Sequence, residues 1–306
     1  MVLTVLSREI EQFIDDVKPH VAHLKIHQYK GDIEGSGIFY VDPTSKIYVF
    51  TNEHVIEQAL SIDVHTSDGN VYEGNLIGVD KLTDLAVLSI NPGKNLLVEP
   101  LSYLDSSKLR LGTLVCSIGH PLGFHWSASL GIISGLNRSF PNRIGRMMHN
   151  IIQTDATSNM GSSGGPLINF DKEIIGMNTA VILGASGMNF AIASNTITHI
   201  TDTLIKEREV VRGFLGIMGE SALIPSDHKL LGGQALRITG IAVNGPVYMI
   251  LEYEDLLLYI NNYRITSMSD VHLALDKSTI GNEVTMEIIR EGKPKTIKCI
   301  PEKLEL

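Results

Sequence analysis

The sequence predicts a mostly-β protein of two domains. Short apolar stretches recur with Gly, Asn, Asp or Pro turn signals at roughly ten-residue spacing, the pattern of β-barrels and sandwiches. No helical crossovers separate these stretches, which argues against a parallel α/β sheet. The 306 residues, 43 % hydrophobic and 19 % charged, suffice for two globular domains with sizeable cores.

Residues 8–18 (REIEQFIDDVK) read as a short amphipathic helix with Ile10, Phe13, Ile14 and Val17 on one face, ended by Pro19. Residues 21–26 alternate loosely and start a strand. Gly35-Ser36-Gly37 leads into a strand, and Asp42-Pro43-Thr44 turns the chain. Residues 47–51 form a buried strand that runs straight into Asn52-Glu53-His54. Two or three short strands follow around Asp68-Gly69, a hairpin signal. Asp84 opens the apolar strand 85–90. Further strands are expected at 113–119 and 129–135, with a basic, Pro-containing loop from Arg138 to Arg146. Three more follow at 166–169, 173–178 and 188–193.

Residues 195–210 are the best helix, with Ile197, Ile200, Thr201 and Leu204 on one face. The domain boundary is placed there. The expected organisation is an N-terminal segment (1–20), a first domain (21–205), a linker (206–212) and a second β-rich domain (213–306). The second domain has a strand at 256–260, a short helix at 270–277, and a hairpin pairing 284–290 with 295–300.

Composition narrows the function. The net charge is −9 and no basic stripe stands out, so nucleic acid is not an expected partner. No run of 18 apolar residues occurs, so no membrane span is expected. The two cysteines, Cys116 and Cys299, fall one in each domain without metal or CxxC spacing, and read as buried free thiols. No metal or cofactor is expected, and no P-loop points to ATP. The first residues lack the basic lead-in and long apolar core of an export signal. The chain as written is expected in the cytoplasm, or in the periplasm if it has been processed.

The chemistry centres on Gly161-Ser162-Ser163-Gly164-Gly165. Alone, such a stretch is a Gly/Ser loop. A tight turn there would also gather the amides of Gly161 and Ser163 into one concavity beside the Ser163 hydroxyl, the arrangement of an oxyanion hole next to a nucleophile. Two upstream residues complete the pattern. His54 lies at a strand-to-helix junction, where a lone histidine is commonly structural. Asp84 lies at the mouth of a buried strand, where an unpaired carboxylate is costly and a histidine N–H would satisfy it. The chain order His, Asp, Ser is that of the double-barrel serine proteases.

These residues sit in a longer set of motifs: GSGIFY (35–40), YVFTNEHVI (48–56), TDLAVLSI (83–90), IGHPLG (118–123), SLGIISGLNR (129–138), QTDATSNMGSSGGPLIN (153–169), IIGMNTA (174–180), NFAIASN (189–195) and RGFLGIM (212–218). Together they resemble the HtrA/Deg-type serine proteases along nearly the whole chain, in wording most like the bacterial DegP/DegQ proteases but with room for a single PDZ domain. The resemblance implies a trypsin-like double β-barrel followed by a PDZ-like α+β domain. It implies ATP-independent cleavage of unfolded or damaged protein, with His54 as general base, Asp84 as its orienter and Ser163 as nucleophile. Gly161, Ser162 and Ser163 would form the oxyanion hole. Thr157 would be the uncharged floor of a substrate pocket shared with Met188, Asn189 and Phe190, favouring a small aliphatic residue before the cut. Phe214-Leu215-Gly216-Ile217 would grip a peptide C-terminal carboxylate.

A homotrimer through the N-terminal segment, with contacts at Ile10, Phe13 and Ile14, is implied too, as is switching of the loops 120–127, 158–162 and 183–188. Ser162, Met160 and Asn189 stand where the family has Asn, Pro and Gly, and residues 250–255 lack the family's turn glycines. The alternative reading is a peptide-binding chaperone or scaffold with little or latent proteolysis. An esterase of another fold is disfavoured, because no GxSxG elbow surrounds Ser163.

Overall fold

The computed structural model describes residues 2–93, 100–120, 126–143, 145, 147–181, 187–224 and 233–305. The chain divides into two compact units, Met1–Val210 and Val211–Leu306.

The first unit opens with helix α1 (Val2–Val17) and a 3₁₀ turn (Lys18–His20). The helix is a turn and a half longer than periodicity predicts. Its C-terminal half is docked: Phe13 and Val17 pack against Val21, Cys116, Ile118 and Ile168, and the Phe13 ring stacks on Phe170 at 4.8 Å. Lys172 Nζ holds Asp16 at 2.6 Å.

Strands β1 (Val21–His27), β2 (Ile33–Val41) and β3 (Ile47–Thr51) lead to the one-turn helix α2 (Glu53–Ile56). Then come β4 (Ser61–His65), β5 (Val71–Glu73), β6 (Asn75–Asp80) and β7 (Leu85–Ile90). They form one antiparallel seven-stranded sheet in the order β5-β4-β1-β2-β3-β7-β6. Its apolar face rolls around Leu24, Ile26, Phe39, Val49, Val64 and Leu88.

Strands β8 (Leu114–Gly119), β9 (Ser127–Pro141), β10 (Met147–Thr154), β11 (Pro166–Asn169), β12 (Ile174–Val181) and β13 (Asn189–Ala193) close into an antiparallel barrel in the order β10-β13-β12-β11-β8-β9. The sequence reads a loop from Arg138 onward, but β9 runs on to Pro141, paired with Met147 and Met148 of β10. Phe140 earns the extension by packing on Phe190, centroids 5.0 Å apart. Pro141 is tolerated because it ends the strand.

Helix α3 (Ser194–Glu207) sets Ile197, Ile200 and Leu204 into a core shared by the sheet (Leu85, Val87) and the barrel (Ile151, Met177, Ile192). This shared core fixes the seam where the candidate site lies. Both thiols are free and buried, and burial pushes Cys116 up to about 12 and Cys299 up to about 11. Neither is a reactive thiolate near neutral pH.

The second unit has strands β14 (Gly213–Phe214), β15 (Ile217–Leu223), β16 (Gln234–Ile241), β17 (Leu256–Ile260), β18 (Tyr263–Arg264), β19 (Val284–Arg290), β20 (Lys293–Cys299) and β21 (Glu302–Lys303). Helix α4 (Met268–Ala274) begins with a capping box between Ser267 and Asp270. The sheet order is β15-β16-β17-β19-β20, with β18 on β17 and β14 paired with β21. The β19–β20 hairpin closes through Glu291 and Gly292, both at positive φ, so the turn has two residues.

The segment 250–255, where glycines are missing, folds around a buried carboxylate. Asp255 Oδ2 accepts from the Glu252 amide at 2.8 Å, and Glu254 takes the left-handed conformation at φ +70°. Arg290 braces the turn, with Nε to Asp255 Oδ1 at 2.8 Å, Nη2 to Asp255 Oδ2 at 2.6 Å and Nη2 to the Ile250 carbonyl at 2.9 Å.

Candidate active site

His54 is presented by α2 immediately after β3, and Asp84 by the turn before β7. These two strands are neighbours, so the histidine and the carboxylate meet. His54 Nδ1 lies 2.7 Å from Asp84 Oδ2 and 3.0 Å from Oδ1, and the His54 amide donates to Oδ1 at 3.0 Å. The buried carboxylate thus fixes the ring's orientation and leaves Nε2 turned to the other side.

Asp84 itself is held in the left-handed region at φ +58°. Its carbonyl accepts from Asn52 Nδ2 at 2.9 Å and from the Glu53 amide at 3.2 Å, which secure that conformation. Asn52 is fully buried. Asn52 stands two residues before His54 in the motif at 48–56, the local signal that points to it.

Thr179 of β12 also holds Asp84. Its hydroxyl donates to Asp84 Oδ2 at 2.6 Å, and its carbonyl accepts from Ser163 Oγ at 3.2 Å. One residue therefore ties the acid from the sheet to the serine from the barrel. Among the described residues no hydrogen bond joins Ser163 Oγ to His54; the hydroxyl is turned to the Thr179 carbonyl instead. Replacing Thr179 by Val removes a hydrogen bond to a charged acceptor, worth about 1.5–3 kcal/mol. The expected result is a fall of about tenfold to a hundredfold in kcat with KM little changed, read from peptide-hydrolysis kinetics.

Ser163 sits in the turn before β11. The amides of Gly161 and Ser163 donate to no acceptor among the described residues, whereas the Ser162 amide donates to the Asn159 carbonyl at 2.9 Å. Of the three residues expected at the oxyanion hole, Ser162 thus has its amide engaged in closing the turn, and its side chain is buried. Gly161 takes φ +95° and Gly164 φ +85°. A Cβ at Gly164 would meet the Ser36 carbonyl at 2.1 Å and Thr51 Oγ1 at 2.3 Å. Gly164→Ala adds about 1–3 kcal/mol of backbone strain to that collision. It is expected to lower the melting temperature and to abolish reaction of Ser163 with an active-site probe.

A cavity of about 320 Å³ opens beside Ser163, His54 and Thr179, walled by Phe140, Met148 and Met160. Glu53 and Lys81 also line it. Burial raises the Glu53 carboxyl above its usual range, against the opposing pull of Lys81.

Thr157, Met188, Asn189 and Phe190, expected to shape the substrate pocket, do not line this cavity. Thr157 is exposed, with its amide bonded to Ser129 Oγ at 2.9 Å. Asn189 and Phe190 are drawn into the barrel by the pairing of β13, where Asn189 Oδ1 accepts from the Ser158 amide at 3.2 Å and Phe190 backs Phe140. The expected switching loops 120–127 and 183–188 lie partly outside the described residues.

In the second unit, Leu215 is buried, Gly216 takes φ +76° and its carbonyl accepts from the Ala242 amide at 2.7 Å. Phe214 ends β14, and Ile217 begins β15, an edge strand of its sheet. Among the described residues no group of three or more His, Cys, Asp or Glu is placed to hold a metal ion. No described helix is long and apolar enough to cross a membrane.

A family profile described as a trypsin-like peptidase domain matches residues 35–177, which include His54, Asp84 and Ser163. The first unit is a trypsin-like peptidase fold. The serine protease Do-like HtrB of Bacillus subtilis (strain 168) is 36 % identical over 281 residues, 86 % of this chain and 61 % of that protein. The periplasmic pH-dependent serine endoprotease DegQ of Escherichia coli (strain K12) is 35 % identical over 300 residues, 96 % of this chain and 63 % of that protein. Among solved structures, the HtrA-type protease AlgW with tripeptide superposes with a TM-score of 0.75 at 27 % identity, covering 96 % of this chain and 97 % of that one. The serine endoprotease from Yersinia pestis gives 0.68 at 27 % identity, covering 96 % and 98 %. The chain carries a trypsin-like peptidase domain, and these curated relatives and structural neighbours are HtrA/Deg-type serine proteases. It spans about three fifths of the length of the curated relatives it matches.

Proposed function

We propose that this chain is a serine endopeptidase that cleaves unfolded or damaged protein without ATP. The observation that carries the proposal is the buried Asp84 carboxylate gripping His54 Nδ1 across the cavity edge from Ser163. Ser163 Oγ swings from the Thr179 carbonyl to His54 Nε2, gives up its proton there and attacks the scissile carbonyl. The Gly161 and Ser163 amides receive the oxyanion. His54 then passes the proton to the leaving amine, and a water, deprotonated by His54, hydrolyses the acyl-enzyme.

The apolar wall of Phe140, Met148 and Met160 favours apolar peptide segments, which folded proteins bury and unfolded ones expose. A small aliphatic residue before the cut is proposed on the uncharged side chain of Thr157, which the resemblance places at the pocket floor. The second unit is proposed to be a PDZ-like domain that takes peptide C-termini by adding a strand beside β15.

A homotrimer through α1 is proposed, with a corrected contact set. Phe13 and Ile14 pack inside their own unit, which leaves Ile10 and the exposed Leu3 and Leu6 to meet another copy. The E. coli and chlamydial relatives carry "periplasmic" in their names, which supports the periplasmic alternative over the cytoplasmic expectation.

The test is digestion of unfolded casein, with a tightly folded protein as control and the new chain ends sequenced. Cleavage of casein alone, after Val, Ala, Ile or Leu, is the expected result. Binding of casein with no cleavage would move the reading to the chaperone alternative.

A further inference from the structure

We propose that Ser36 is a positioning residue for the oxyanion hole, a brace that holds the carbonyls of the Gly161–Ser163 turn on one side so that its amides stay open on the other. The inference rests on the acyl-transfer reading of the site.

A short turn that aims two N–H groups at one point must find partners elsewhere for its carbonyls, because buried carbonyls are not left unpaired. Ser36 supplies both partners. Its hydroxyl donates to the Gly161 carbonyl at 2.7 Å, and its amide donates to the Ser163 carbonyl at 2.9 Å. These are the same two residues whose amides have no acceptor.

The brace is itself anchored. Ser36 Oγ accepts from the His120 amide at 3.0 Å, and the Ser36 carbonyl accepts from Thr51 Oγ1 at 2.7 Å. Ser36 is fully buried, and every polar atom it carries is used. Donation to Gly161 fixes the orientation of the hydroxyl hydrogen, since the other partner of Oγ is itself an N–H donor.

The surroundings are shaped to admit this side chain. A Cβ at Gly119 would lie 2.9 Å from Ser36 Oγ and 3.0 Å from Ser162 Cα. One at Gly164 would lie 2.1 Å from the Ser36 carbonyl, and one at Gly165 would lie 3.2 Å from Ser36 Cβ. The barrel approaches Ser36 through glycines on three sides. Because Ser36 belongs to β2 of the sheet and Gly161 to the barrel, the brace also sets the hole's position relative to His54, which the sheet carries.

The Ser36 amide bond to Ser163 survives any side-chain replacement, so the hydroxyl can be tested separately. Ser36→Ala takes away the hydroxyl that holds the half-buried Gly161 carbonyl. Ser36→Cys keeps a weak donor in nearly the same volume. The experiment measures labelling of Ser163 by a fluorophosphonate at several concentrations, resolving the binding constant from the maximal rate, alongside the melting temperature. Wild type is expected to label. Ser36→Ala is expected to label at a maximal rate lower by about tenfold to a thousandfold, with the binding constant within about threefold of wild type. Ser36→Cys is expected to fall between the two.

If Ser36→Ala does not fold, Ser36→Cys carries the test with the same readout. A folded variant that labels at the wild-type maximal rate would overturn the brace and leave the protease reading standing. A wild type that neither labels nor cleaves casein would overturn the protease reading and the brace with it.

Discussion

Ser163→Ala and His54→Ala are each expected to lower casein hydrolysis by about 10⁴–10⁶-fold while leaving casein binding intact. The reasoning starts from the weakness of a serine hydroxyl as a nucleophile at neutral pH. It reacts only when a base removes its proton, and His54 is the imidazole that a buried carboxylate orients beside it. Losing either member removes the same step, so the double variant is expected to fall no further than the worse single one. Asp84→Asn should cost about 10⁴-fold, because an amide can no longer fix the His54 tautomer or steady the imidazolium. Stopped casein-cleavage assays on wild type and these four variants check all of this. Additive losses in the double variant would show that the two residues do not act as one unit.

Arg290→Met is expected to destabilise the second unit by about 3–5 kcal/mol, the cost of leaving one partner of a buried ion pair uncompensated. Asp255 is 1 % exposed as a side chain, and its partner Arg290 is 13 % exposed. Hydrogen bonding to Asp255 is the main cause that raises the guanidinium above its ordinary range. Removing the cation strands the carboxylate and frees the Ile250 carbonyl at the same time. The double change Asp255→Leu with Arg290→Met should recover much of the loss, since no charge is then left buried alone. Thermal and urea unfolding followed by fluorescence separate these outcomes. A single Arg290→Met change that shifts the transition by less than about 1 kcal/mol would show that the turn at 250–255 does not depend on the pair.

Much of this structure is legible in the sequence, for reasons that differ between residues. Strand 47–51 and helix 53–56 are readable because apolar bulk stops abruptly at Asn52. The partnership of Asp84 with His54 follows from the cost of burying a carboxylate, and the structure sets the two 2.7 Å apart. The N-terminal helix reaches further back than residue 8 because Leu3 and Leu6 continue the 3–4 spacing of Ile10, Phe13 and Val17, although both leucines are exposed.

Other features depend on partners far away in sequence. Pro141 reads as a loop residue until Phe140 is seen to meet Phe190. The turn at 250–255 lacks glycine, and its support comes from Arg290, thirty-five residues on from Asp255. Ser36 reads as a small residue opening a strand, and its bond to Gly161 crosses 125 residues. Thr179 reads as one more strand threonine, although β12 aims it between Asp84 and Ser163. Side chains that organise a site from behind leave no local signal, because periodicity records which face is buried and not what a hydroxyl there touches.

The central claim is that His54 and Asp84 activate Ser163. Its most direct test is peptide mapping of the fluorophosphonate adduct on wild type and on His54→Ala. A single adduct on Ser163 in wild type, absent from His54→Ala, is the predicted result. An adduct on another serine, or equal labelling of Ser163 in both proteins, would contradict it.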